Sequence, residues 1–138
     1  MRDWKAAIFW AVMIWLVPFV IAYFFYAPDG TLMIDRGLFR TIMIIIGSAM
    51  AAIASVMYYR RVESGFCQEG LQIGLLWMLT CWALDLAILV PMAKMTIPAY
   101  FADIGLRYLS ILVTTIALGA ILEAHTVRLS KRNGKKRK

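Results

Sequence analysis

Four long apolar runs, near residues 6–27, 41–59, 71–93 and 106–124, take up most of this chain, and each is long enough to cross a bilayer as a helix. A transmembrane helix needs about 20 mostly apolar residues at about 1.5 Å rise each, so the short connectors leave no room for a separate soluble domain. With 62% hydrophobic residues, 17% charged residues and a mean hydropathy of +0.74, a water-soluble globule of this sequence would expose Leu, Ile, Met and Trp over much of its surface. The expected fold class is an all-α membrane protein, a four-transmembrane-helix antiparallel bundle. Its spans are expected at about 6–27, 41–59, 71–93 and 99–124 in a transmembrane domain of residues 1–127, followed by a basic tail, 128–138.

Arg2 and Lys5 ahead of the first run resemble the basic start of a secretory signal, but the run reaches Ala27 with no small-x-small cleavage site before Pro28. It reads as a retained helix, with Pro18 expected to kink it. Connector 28–40 opens on a Pro-Asp-Gly turn and continues with apolar residues that suit an interface. Pro91 should end or kink the third helix, and Pro98 suits the first turn of the fourth.

Orientation follows from the basic residues. The N-terminal segment, the loop with Arg60 and Arg61, and the tail carry eleven Lys and Arg, against four (Arg36, Arg40, Lys94 and Arg107) on the opposite side. By the positive-inside rule both termini are cytoplasmic and the chain belongs in the cell membrane. The tail, with Arg128, Lys131, Arg132, Lys135, Lys136, Arg137 and Lys138, accounts for the net charge of +7 and suits anionic headgroups. It lacks the interleaved aromatics of a nucleic-acid site, so no nucleic-acid partner is expected.

Cys67 and Cys81 are expected at different depths, without a CxxC, and His125 is the only histidine, so neither a disulfide nor a metal site is expected, and no cofactor. Gly47, Ala51 and Ser55 recur every four residues on the second span and make a smooth face for a neighbouring helix, within the bundle or in a homo-oligomer. The five tryptophans, Trp15 and Trp77 included, read as interfacial anchors and lipid-facing bulk.

Asp85 is the acidic residue placed well inside an apolar span, about 12 Å from the outer end at Ala93. Ionised and alone it would cost about 2.5–3.5 kcal/mol on insertion scales, so it requires a partner or a proton. Arg107 is expected at matching depth on the antiparallel fourth helix, forming an intramembrane pair with Asp85. Asp103, Tyr108, Tyr100, Cys81 and Thr80 are the candidate supporting groups. Glu123 is expected to pair with Arg60 or Arg61 nearer the cytoplasm.

The segments LDLAILVPM and IPAYFADIGLRYL resemble a pattern in small four-helix prokaryotic membrane proteins of unknown function, over residues 77–109. That resemblance implies the four-helix fold and singles out Asp85, Tyr100, Asp103, Arg107 and Tyr108; it implies no activity. Four-span multidrug exporters are similar in size but carry an acidic residue in the first span, where this chain has none between Trp4 and Pro28. HExxH, GxSxG and GxxxxGK are absent, so no enzyme is expected. The expected role is that of a small, non-enzymatic integral membrane protein, structural or partner-binding; the alternative is an oligomeric, proton-coupled transporter that uses Asp85.

Overall fold

The structure, a computed structural model, describes residues 3–136. Helix α1 (Trp4–Tyr23) starts where the Asp3 carboxylate accepts from the Ala6 amide at 3.0 Å, and it stays helical through Pro18. Helix α2 (Arg36–Tyr59) starts before its apolar run because Asp35 accepts from the amides of Gly37 and Leu38. Between them the Pro-Asp-Gly segment closes a tight turn: Ala27 donates to the Thr31 carbonyl, and Gly30 takes the left-handed conformation at φ +81.

The third span is α3 (Phe66–Leu84), a single π-helical turn (Asp85–Leu89) and α4 (Val90–Ala93). Pro91 explains the wide turn. It has no N–H to donate, and its ring would clash with the Ala87 carbonyl in a regular α-helix, so the hydrogen-bond ladder gives way just before it. The Val90 amide accordingly reaches back five residues to the Asp85 carbonyl. Lys94, at φ 51, then ends the span.

The fourth span is not the single helix expected from residue 99 to 124. It consists of α5 (Ile97–Asp103), a break at Ile104, a 3-10 turn (Gly105–Tyr108) and α6 (Leu109–Lys136). A Cβ at Gly105 would lie 2.6 Å from the Phe101 ring, so the break needs glycine where the chain folds close upon α5. Helix α6 also runs on through most of the basic tail, with Ala124–Arg132 exposed. Arg137 and Lys138, and the side chains of residues 133–136, lie outside the described part.

Among the described residues four helices are long and apolar enough to cross a membrane: Trp4–Tyr23, Arg36–Tyr59, Phe66–Ala93 and Gly105–Arg132. The protein is an all-α, multi-pass membrane bundle. The helices form a ring in the order α1, α2, α6, α3, and the start of α1 lies beside the end of α2, where Arg61 bridges Asp3. The α3–α6 boundary is the most extensive, because Gly70, Gly74 and Gly119 remove the side chains that would hold the two backbones apart. A Cβ at Gly70 would lie 2.6 Å from the Thr115 carbonyl oxygen, and one at Gly119 would meet the Phe66 carbonyl. The smooth face expected on α2 is packed at Ala51 and Ser55, but a Cβ at Gly47 would meet nothing within 4 Å. The closest helix approach therefore belongs to the third and fourth spans rather than to the second.

Candidate functional site: a carboxylate held by three aromatic donors

Asp85 is the first residue of the π turn and is 2% exposed. Its Oδ1 accepts from the Trp15 indole Nε1 at 2.6 Å; its Oδ2 accepts from the Tyr100 hydroxyl at 2.8 Å and from the Tyr108 hydroxyl at 2.9 Å. Those donors come from α1, α5 and the 3-10 turn, so one carboxylate joins the first span, the third span and both sides of the break in the fourth.

The register of the bundle dictates this meeting. Helices α1 and α3 run parallel, offset by 70 residues: Trp77 donates to the Ala7 carbonyl at 2.8 Å, and two turns further along, Trp15 meets Asp85. On the other side α6 runs antiparallel to α3, so the break before it falls at the depth of the π turn. The freed Gly105 carbonyl is satisfied there by the Trp82 indole at 2.9 Å.

Arg107 does not pair with Asp85, contrary to the sequence expectation. Successive residues of a 3-10 turn point about 120° apart, so the turn that aims Tyr108 at Asp85 aims its neighbour Arg107 elsewhere. Arg107 is half-buried and stands among the charges of Arg40 and Asp103. Asp103 is bridged by Arg40 at 2.8 Å and takes no part in the Asp85 cluster. Neutral phenol and indole donors satisfy the buried carboxylate without taking a guanidinium out of reach of headgroups and water.

The remaining candidates divide. Tyr100 and Tyr108, expected as supporting groups of an Asp85–Arg107 pair, instead donate to Asp85 themselves. Cys81 is fully buried one turn before Asp85, whereas the Thr80 hydroxyl donates to the Leu76 carbonyl of its own helix and is not in the cluster. Glu123 pairs with neither Arg60 nor Arg61. Its Oε2 accepts from the Cys67 amide at 2.9 Å, closing the N-terminus of α3 from across the α3–α6 boundary, while Arg61 bridges Asp3 at 3.0 Å. Gly65 at the start of α3 supplies no side chain for that purpose, so α6 provides the acceptor.

Trp15 and Trp77 are the functional side chains that the sequence reading placed at the interface; both are core residues. The missed signal is depth. Trp15 lies eleven residues into its helix, about 16 Å, near mid-membrane, where an indole N–H needs a partner. A second polar layer near the termini was missed too: Tyr58 donates to the buried Glu69 at 2.9 Å, and Tyr59 donates to the Thr115 carbonyl at 2.6 Å. Among the described residues every buried side-chain nitrogen and oxygen has a hydrogen-bond partner.

No family model, curated protein or solved structure matches this chain. Three neutral donors on one carboxylate tie together segments that the breaks at Asp85 and Ile104 would otherwise loosen.

Proposed function

We propose that this is a non-enzymatic integral membrane protein of the cell membrane, with both termini cytoplasmic, and that its role is assembly with lipid or with another membrane protein. The observation that carries the reading is the convergence of Trp15, Tyr100 and Tyr108 on Asp85, which gives the one deep carboxylate a structural task and fills both of its oxygens. The distribution of Lys and Arg supports the orientation, and the basic end of α6 suits anionic headgroups at the cytoplasmic face.

A second reading, a small oligomeric transporter coupled to protons through Asp85, is favoured by a different observation. The carboxylate has no cationic partner among the described residues and sits beside both helix discontinuities, an arrangement that secondary transporters use for coupling ions. Folded yield and thermal stability in detergent, together with proton flux in proteoliposomes, separate the two for Asp85→Asn and Tyr100→Phe. Lower stability with no flux in the wild-type protein supports the structural reading. Wild-type flux abolished by Asp85→Asn with folding intact overturns it.

A further inference from the structure

We propose that Asp85 is a proton-binding site whose occupancy releases α5 from the rest of the bundle. This deepens the anchoring role above and rests on it. The donors decide which oxygen takes the proton. An indole can only donate, so Trp15 keeps Oδ1 as an acceptor and an added proton goes to Oδ2. Oδ2 already receives the hydroxyls of Tyr100 and Tyr108. A proton taken from water and bound to Oδ2 turns an acceptor of two bonds into a donor that faces two donors. One phenol must rotate to accept it and the charge-assisted bond of the other is weakened.

The structure makes Tyr100 the vulnerable contact. Helix α5 has only seven residues, and its most extensive packing is against the 3-10 turn that follows it. It is flanked by the left-handed Lys94 and the break at Ile104, so it has a joint on either side. It is also held by the burial of the Tyr100 ring, by the exposed Arg40–Asp103 bridge and by an edge contact between Phe101 and Trp82, with ring centroids 5.4 Å apart. Exposed ion pairs contribute little, typically about 0–1 kcal/mol. The Tyr100 hydroxyl on Asp85 is thus the buried polar link between α5 and the third span. Tyr108, by contrast, leads directly into the long α6 and stays with the bundle when its hydrogen bond weakens.

The groups that face Asp85 allow the titration to be assigned. They are Cys81 on α3, Tyr100 on α5 and Tyr108 in the 3-10 turn; Trp15 on α1 does not titrate, and no charged side chain of α2 acts on it. Thiols and phenols ordinarily titrate near 8.5 and 10, above the acid range, so within this cluster the group that gains a proton well below pH 7 is the carboxylate.

The test uses the full chain in zwitterionic liposomes, with a nitroxide on Ala102→Cys in a Cys67→Ser background, and reads two signals from pH 8 to pH 4. Infrared spectra should show a carboxylic-acid C=O band appearing with acid and missing in Asp85→Asn, and the mobile fraction of the nitroxide should rise several-fold over the same interval. Tyr100→Phe should be mobile at every pH while keeping the infrared band, which separates loss of the latch from loss of the proton site. An immobile label throughout the range in the wild-type chain, with Tyr100→Phe mobile, overturns the switch and leaves the anchor standing. Immobile labels in both Tyr100→Phe and Asp85→Asn overturn the anchor itself.

Discussion

Trp15 and Asp85 meet across the α1–α3 boundary at 2.6 Å, indole nitrogen to carboxylate oxygen, and the contact repeats the 70-residue offset by which Trp77 reaches the Ala7 carbonyl. Two parallel helices are therefore fixed in register by two indoles that point in opposite directions, one from each helix. A slip of one residue would leave a buried N–H and a buried carboxylate oxygen without partners, at about 1–3 kcal/mol for each such group.

Because Arg107 is outside the Asp85 cluster, removing its charge should matter less than removing a neutral phenol. Tyr108→Phe deletes one hydrogen bond to a buried carboxylate and should lower stability by about 1–2 kcal/mol, whereas Arg107→Gln should change it by less than about 0.5 kcal/mol. Thermal unfolding in one detergent compares them; a larger loss for Arg107→Gln would restore the ion-pair account.

The glycines of α3 and α2 should behave in opposite ways. Gly70→Ala drives a methyl group into the Thr115 backbone and should destabilise the bundle by about 1–3 kcal/mol. Gly47→Ala enters open space and should be neutral, or slightly stabilising through helix propensity. Equal losses at both sites would contradict the placement of the closest helix approach.

Glu123 closes the start of α3, so Glu123→Ala should cost about 0.5–2 kcal/mol and speed hydrogen exchange at the Cys67 amide. Arg60→Gln should leave that amide unchanged. Exchange resolved by residue reads both variants.

A pH effect is expected at the terminal end of the bundle. The Ala6 amide first, and then the Arg61 guanidinium, hold the Asp3 carboxyl below its ordinary value of 3.8. A carboxylate whose folded value is depressed contributes stability that is present above the unfolded value and is lost as pH falls through the folded one. The wild-type protein should therefore lose stability relative to Asp3→Asn below about pH 4, and the gap should be small because the site is open to solvent. Unfolding midpoints of the two proteins that run parallel down to pH 2 would count against the cap.

The four spans were legible because apolar length is a property of composition alone. Asp85 was legible for the same reason, as the charge that does not belong in its run. Its partner was not. Depth counting assumed a continuous fourth helix and brought Arg107 to the right level, but the break at Ile104 and the 3-10 turn rotate Tyr108 inward in its place. Glu123 and Arg60 failed for a related reason: an unfilled helix N-terminus at Gly65 competes for the carboxylate, and backbone demands do not show in a charge pattern. Gly70 and Gly74, in GLQIG, carry the same four-residue spacing as Gly47 and Ala51; spacing alone could not say which of the two faces is turned inward.

A neutral donor from the first span, and not a cation from the fourth, holds Asp85. The direct measurement is a double-mutant cycle on thermal or denaturant unfolding in detergent, with Asp85→Asn and Trp15→Phe singly and together. The account predicts a coupling of about 1 kcal/mol or more, the pair costing less than the sum of the single changes, while a parallel cycle of Asp85→Asn with Arg107→Gln is additive. Additive losses for Asp85 and Trp15, with coupling between Asp85 and Arg107 instead, would contradict it.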